Sequence, residues 1–381
     1  MVQGAPVIRG IDVGSFPLDA DMKRYRIGAR LLETDPLAEE EEALYFVSKH
    51  NEAFLAKAGA MGAATSVTSF AQSRGMITQF LEPLFSAVVR ETTAEAEALI
   101  TKSNAQIVAG AIAMGEVSLD AIPSRVAEII ALDRGADKLI NVLGVDPISY
   151  KACLTGPLEL TLNLQRLAGF PRGYDEILME FFSDLLDRYV RSIHTKSKHL
   201  KLEVVSMDDP SFSLEGLGDF FNDTPTDDSL NHLKLCWNRV YKYVPRGCYR
   251  GLHIHSSPFE HLFEADWNLL EAHVGVYVNP FWITEYDKYI RAAIVKTDGP
   301  AFPKDADLKA AWNEIKAGQF KHYLQPAEEM RSILNEYVER YGSEGIPFAG
   351  PECGLGPWDW TNGADMALAN LRTMRLVLEH Q

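Results

Sequence analysis

The sequence predicts a (β/α)8 barrel with a helical insertion after its first strand. Three observations carry this prediction. Short apolar runs, each ending in Gly, Pro, Ser or Asp, recur along the chain. Long amphipathic segments with apolar residues at three- and four-residue intervals lie between them. The chain is 381 residues long and 46% hydrophobic, enough for one large core. Strand then helix, repeated, implies parallel strands with crossover helices, and at this length a closed barrel is favoured over an open doubly wound sheet.

The strand candidates in order are VIRGIDVGSF, YKACLTGP, KLEVVSMDDP, RGLHIHSS, HVGVYVNP and IPFAGPECG, with a further strand end at AAIVKTDGP. Each has a run of Val, Ile or aromatic residues bounded by turn formers. The helical patterns are clearest in TTAEAEALITKSNAQIVAGAIAMG, DEILMEFFSDLLDRYVRSIHTKSKHL and AEEMRSILNEYVERYG. Residues 32–125 carry more helical pattern than a regular barrel needs and read as a helical lobe. The acidic run Glu39 to Glu42 within them reads as a solvated helix start. Without a repeat of 20 to 50 residues or a Pro/Gly/Ser-rich linker, residues 1–381 read as one elaborated barrel domain.

Composition narrows the partners. A formal net charge of -16 repels phosphate backbones, so nucleic acid is not expected. No run approaches 18 apolar residues, and the first residues, MVQGAPVIRGIDVGSF, lack the apolar core of a signal peptide. Cys153, Cys236, Cys248 and Cys353 are scattered, which fits free thiols or a metal ligand better than a disulfide framework. The expectation is a soluble cytoplasmic protein with no membrane partner.

Barrel chemistry sits at the C-terminal ends of strands. The polar residues there are Asp12 and Ser15, Thr155 with Gly156 and Pro157, Asp208 and Asp209, His253 and His255, Asn279, and Glu352 with Cys353. His253 and His255 are two apart, so on a strand both rings point to one side and can reach one ion. The plain alternative is a pair of hydrogen-bonded cleft histidines. Cys353, between Gly and Pro residues at a strand end, would complete three ligands and leave one tetrahedral position open, as in catalytic zinc sites. A packed, inert Cys is its alternative.

Asp208 and Asp209 point to opposite sides of an extended chain. One can face the barrel mouth and hold an ammonium group, while the other caps a turn. Ser15 offers a hydroxyl and a backbone N–H to a carboxylate. The Thr155-Gly156 turn lets backbone approach a ligand closely, and Asn279 is a further substrate-binding candidate. Lys296 and Asp298 could handle charge or protons. Trp358 and Trp360 could stack on a flat ligand but read more readily as packing. Cys248, five residues before His253, could help a metal but reads more readily as a core or surface Cys, and His194 and His199 read as surface residues of a long helix.

Taken together, VGSFP at 13–17, LTGP at 154–157, MDDP at 207–210, HIH at 253–255 and PECGLG at 351–356 resemble the catalytic domain of cobalamin-independent methionine synthase. They stand in that family's order and span nearly the whole chain. The resemblance extends to the single-domain archaeal enzymes and to epoxyalkane:coenzyme M transferase, which share a barrel with the uroporphyrinogen decarboxylases. It implies a zinc site that turns a bound thiol into a thiolate for attack on an electrophilic carbon. It implies that His253 and Cys353 are zinc ligands, that Asp208 meets the amino group of the substrate and that Ser15 meets its carboxylate. Asp208 and His255 are the residues expected to serve catalysis.

The pattern also departs from the family. His255 stands where the family has Cys, which removes one negative ligand charge. The Glu ligand expected at the next strand end has no counterpart in VYVNP, since neither Val278 nor Asn279 replaces a carboxylate. The usual later His is missing from AAIVKTDGPAF. The resulting expectation is a zinc-dependent thiol methyl- or alkyltransferase, fed by a methylated pterin, a corrinoid protein or an activated small molecule such as an epoxide. A metal-dependent hydrolase, a metal-free decarboxylase and a non-catalytic relative are the competing readings.

Overall fold

The computed structural model describes residues 7–72, 74–89, 99–171, 173–212 and 226–380. Eight parallel strands close a barrel in chain order. They are β1 Arg9–Ile11, β2 Ser66–Ser69, β3 Ile148–Thr155, β4 Leu200–Asp208, β5 Tyr249–His253, β6 Leu269–Glu271, β7 Tyr289–Val295 and β8 Phe348–Pro351. β8 pairs with β1 at Arg9↔Phe348 and Gly10↔Ala349, which completes the ring. Buried Ile11, Val67, Val204, Leu269 and Phe348, one from each of five strands, form a compact apolar cluster. A much larger apolar cluster includes residues of the surrounding helices, such as Phe54, Phe182 and Met374.

Two helices, Met22–Thr34 and Glu41–Met61, separate β1 from β2, so the expected helical addition after the first strand is present. Glu41 and Glu42 occupy the first turn of the second helix, where carboxylates oppose the positive end of the peptide dipoles. The stretch 32–125 nevertheless also contains β2. Its sequence, SVTS, is too short and polar to show as an apolar run, yet all four residues are buried. Pairing to β1 and β3 on either side satisfies its backbone without a long apolar segment. Of the helix predicted from Thr92, residues 92–98 lie outside the described residues, and the remainder forms Lys102–Ala113.

The helix Glu176–Ser192 ends before His194 and His199, so neither is helical. His194 is exposed, and His199 is half-buried with Nδ1 2.9 Å from Asp146 Oδ2. The helix Ala327–Tyr341 follows its pattern. HVGVYVNP is not a strand. β6 lies just upstream, in the three residues Leu269–Glu271, and the chain turns at Val274–Gly275 with Gly275 at φ 80°. That shift moves the end of β6 from Asn279 to the vicinity of His273. Among the described residues no helix is long and apolar enough to cross a membrane.

A candidate metal centre at the barrel mouth

Parallel pairing places Thr155 beside Asp208, Asp208 beside His253, and His253 beside Glu271. Four strand ends are thereby level with one another. His255 follows two residues after His253, His273 two residues after Glu271, and Cys353 two residues after Pro351 at the end of β8. One ligand atom from each of His253, His255, His273 and Cys353 lies within 4.8 Å of the others. Cys353 Sγ is 3.8 Å from His253 Nε2. The rings of His255 and His273 have centroids 3.8 Å apart.

His253 is buried, and its Nδ1 lies 2.9 Å from the Glu271 carbonyl. A carbonyl only accepts, so Nδ1 carries the proton and Nε2 presents a lone pair toward Cys353. Burial lowers the pKa of all three imidazoles: His253 well below the ordinary histidine value, His273 to about 4, and His255 more modestly. All three are therefore neutral near pH 7, the state that binds a metal. Burial also pushes the Cys353 thiol up from its ordinary value, the direction a bound cation reverses. His273 Nε2 is buried and has no hydrogen-bond partner among the described residues.

These features fit a metal ion. A tetrahedral zinc with nitrogen at about 2.0 Å and sulfur at about 2.3 Å holds three nitrogens and one sulfur roughly 3.3–3.5 Å apart. The four donor atoms lie within 4.8 Å of one another, about 1.3 Å above that spacing at most. The donor set includes one residue that the sequence did not reveal. His273 forms Glu271-x-His273, the same two-residue spacing as His253-x-His255. Assigning the strand to HVGVYVNP hid it, because the strand end was placed at Asn279 rather than at Glu271.

The cavity over this cluster has a volume of about 530 Å³. Its lining includes Ser15, Gln72, Asp208, His253, His255 and Cys353, with apolar Phe16, Met22, Met76, Pro210 and Pro357. Ser15 is held by the loop after β8: its carbonyl accepts from Leu355 N at 2.9 Å and its Oγ from Gly356 N at 3.3 Å. A Cβ at Gly354 would lie 1.9 Å from Ser15 Oγ, which is why that loop is glycine at this point. Asp208 faces the cavity and accepts from Ser206 Oγ at 3.0 Å. Burial raises its pKa to about 7, against the opposing attraction of Lys151.

The chain matches no protein-family model and no curated protein. Solved structures do match it. A B12-independent methionine synthase from Shewanella sp. W3-18-1, in complex with selenomethionine, superposes with TM-score 0.54 at 12% identity, covering 98% of each chain. A methyltransferase from Methanosarcina mazei superposes with TM-score 0.52 at 12% identity, covering 98% of this chain and 94% of the other. The chain has the fold of a B12-independent methionine synthase.

The other candidates stand elsewhere on this fold. Asp209 points away from the cavity and accepts from Glu159 N at 2.8 Å and Trp237 Nε1 at 2.7 Å. It therefore anchors the start of the neighbouring helix Pro157–Ala168 rather than a turn of its own. Gly156 leaves room for that carboxylate: a Cβ there would lie 2.2 Å from Asp209 Cγ. Thr155 is buried and donates to the Met76 carbonyl at 2.6 Å, fixing the loop after β2. Asn279 caps the short helix Pro280–Glu285, accepting from Phe281 N at 3.1 Å, and lies outside the cavity lining.

Asp12 is spent on Lys57, Ser69 Oγ and Ser69 N. Lys296 pairs with Glu329 at 2.7 Å, and Asp298 is not part of the cavity. Trp358 donates to the Thr297 carbonyl and packs on Trp360, which meets Trp312 edge-on, so this pair is packing. Cys248 precedes β5 at the end opposite His255, and its thiol contacts the Leu202 carbonyl at 3.2 Å.

Proposed function

We propose that this chain is a zinc-dependent methyl- or alkyltransferase with a thiol as acceptor. The observation that carries the reading is the convergence of three imidazoles and one thiol at one point, with His253, His255 and Cys353 lining a cavity that also contains the Asp208 carboxyl. His253, His255, His273 and Cys353 would hold the zinc, which as a Lewis acid lowers the pKa of a coordinated thiol. The chain supplies the rest. Phe16, Met22, Met76, Pro210 and Pro357 keep water from the reacting groups. Asp208, poised near neutral pH by burial, can take up a proton or hold a substrate ammonium group. The Ser15 hydroxyl faces the same space and can donate to a carboxylate.

The donor remains a class: a methylated pterin, a corrinoid protein or an activated small molecule such as an epoxide. All four cysteines are free, which supports a reducing, cytoplasmic setting. A metal-dependent hydrolase fits less well. A water nucleophile and a thiol acceptor would each have to join or displace one of the four protein donors, and the thiol reading is favoured because solved structures of this fold include a B12-independent methionine synthase and a methyltransferase.

The test is the zinc content of untagged protein purified without chelator, beside Cys353→Ala, followed by a screen of thiols for methyl acceptance. About one zinc per chain, lost in the variant, supports the reading. A wild type that binds no zinc ends the thiolate mechanism.

A further inference from the structure

Beneath the donors lies a cluster of charge with no access to solvent. Lys151 on β3, Glu271 on β6 and Arg291 on β7 are all 0% exposed. Lys151 Nζ is 2.5 Å from Glu271 Oε2, and Arg291 Nε is 3.9 Å from the same oxygen. Taking three charges out of water is costly unless their geometry compensates. The strand that carries Arg291 contributes no donor to the candidate metal centre.

The hydrogen bonds of Arg291 define its place. One guanidinium nitrogen donates to the Pro351 carbonyl. The other reaches the Ala272 carbonyl at 3.3 Å and the Glu352 carbonyl at 3.1 Å. Ala272 immediately precedes His273, and Glu352 immediately precedes Cys353. The same cation thus grips the backbone of the two separate segments that deliver the imidazole from β6 and the sulfur from β8. From the other side, the Glu352 carboxylate accepts from Val274 N at 3.3 Å and from Thr297 N at 2.9 Å. Val274 immediately follows His273. Each of the two segments is therefore held on both flanks of its donor or by the residue next to it.

We propose that Arg291 is a positioning residue for the candidate metal centre, its guanidinium holding the backbone immediately before His273 and before Cys353 so that their donor atoms meet those of His253 and His255. The inference rests on reading these four side chains as a metal site. A planar fork serves the three carbonyls from two terminal nitrogens at fixed angles, whereas an ammonium offers its three donors from one nitrogen on a flexible stem. Glu352 closes the same bracket. Together they explain why a strand with no ligand carries a fully buried arginine.

The experiment uses the full chain as wild type, Arg291→Lys and Glu352→Gln, loaded with Co(II) or Zn(II). Affinity is read by chelator competition, and geometry by the visible absorption of the Co(II) form. Thermal unfolding of the metal-free proteins reports the fold. The expected result is cooperative unfolding in all three, with metal affinity lowered roughly 10- to 100-fold in both variants and altered Co(II) bands. Wild-type affinity and spectrum in folded Arg291→Lys would overturn the assignment. So would an Arg291→Lys chain that fails to unfold cooperatively, because Arg291 would then serve the fold rather than the site. A wild type that takes up neither metal would remove the metal reading itself, and this inference with it.

Discussion

Replacing Gly156 with alanine puts a methyl group where the Asp209 carboxylate now lies. The added Cβ would sit 2.2 Å from Asp209 Cγ and Oδ1 and 2.4 Å from Oδ2. Ordinary contact needs about 3.5 Å, so the carboxylate must retreat by roughly 1.3 Å. That movement breaks its bonds of 2.8 Å from Glu159 N and 2.7 Å from Trp237 Nε1, both of which are at the edge of good geometry after a far smaller shift. Overpacking costs about 1–3 kcal/mol, and each lost hydrogen bond about 1 kcal/mol more. The sum is about 3–5 kcal/mol, a large part of the 5–15 kcal/mol or so that holds a typical domain. The assay is urea unfolding of Gly156→Ala, Asp209→Ala and the double variant. In the double variant the methyl meets no carboxylate, so adding Gly156→Ala to Asp209→Ala should cost under about 1 kcal/mol, a coupling of 2 kcal/mol or more. Additive costs, or a Gly156→Ala chain as stable as wild type that has lost only ligand binding, would refute this account and return Gly156 to the substrate.

Three further outcomes are expected. His273→Ala should weaken zinc binding yet keep the thiolate-to-cobalt absorption of the Co(II) form, and Cys353→Ala should abolish that absorption; the reverse pattern would exclude Cys353 from the site. Lys151→Met strips the 2.5 Å partner from the fully buried Glu271 carboxylate, and breaking a buried pair in this way should cost about 3–5 kcal/mol. Adding Glu271→Gln should recover much of that loss, and no recovery would contradict the charge argument. The pH dependence follows from Asp208, whose pKa burial raises from 3.8 to about 7. A carboxyl raised on folding favours the protonated native state, so its contribution is full below the unfolded value and is lost as pH rises toward 7. Melting temperatures of wild type and Asp208→Asn should therefore diverge between about pH 4 and pH 7, the wild type losing ground as pH rises; parallel curves would show that Asp208 does not titrate there.

Most strands were legible because their apolar runs end abruptly in turn residues, as at YKACLTGP and KLEVVSMDDP. β2 and β6 were not. Ser66–Ser69 and Leu269–Glu271 are short, and pairing on both sides stabilises them more than their own composition does. The apolar run in HVGVYVNP outweighed β6 by pattern, yet Tyr277 is 61% exposed and the segment pairs with no strand among the described residues. The site was legible where its chemistry was local. His253 and His255 show themselves by spacing, and Cys353 by its turn. His273 went unseen because its role depends on where β6 stops. Arg291 and Lys151 could not be read at all, since a charged residue in an apolar strand announces a buried partner without naming it. Thr155, Gly156, Asp209 and Asn279 show the opposite error, in which polar or small residues at strand ends serve helix starts and loop seats.

The four donors also fall late in the chain. The first, His253, is the last residue of the fifth of the eight strands, and the last, Cys353, follows all of them. A polypeptide emerging from the ribosome folds from its N-terminal side, so the imidazoles of His253, His255 and His273 are made well before the sulfur that completes their set. The strand that brings Cys353 is the one that pairs with β1 and β7 and shuts the ring. The donor set is therefore completed only by the segment that also closes the barrel. A chain cut short before β8 would carry the three histidines without the Cys353 thiol, so the complete set of donors reports a closed barrel.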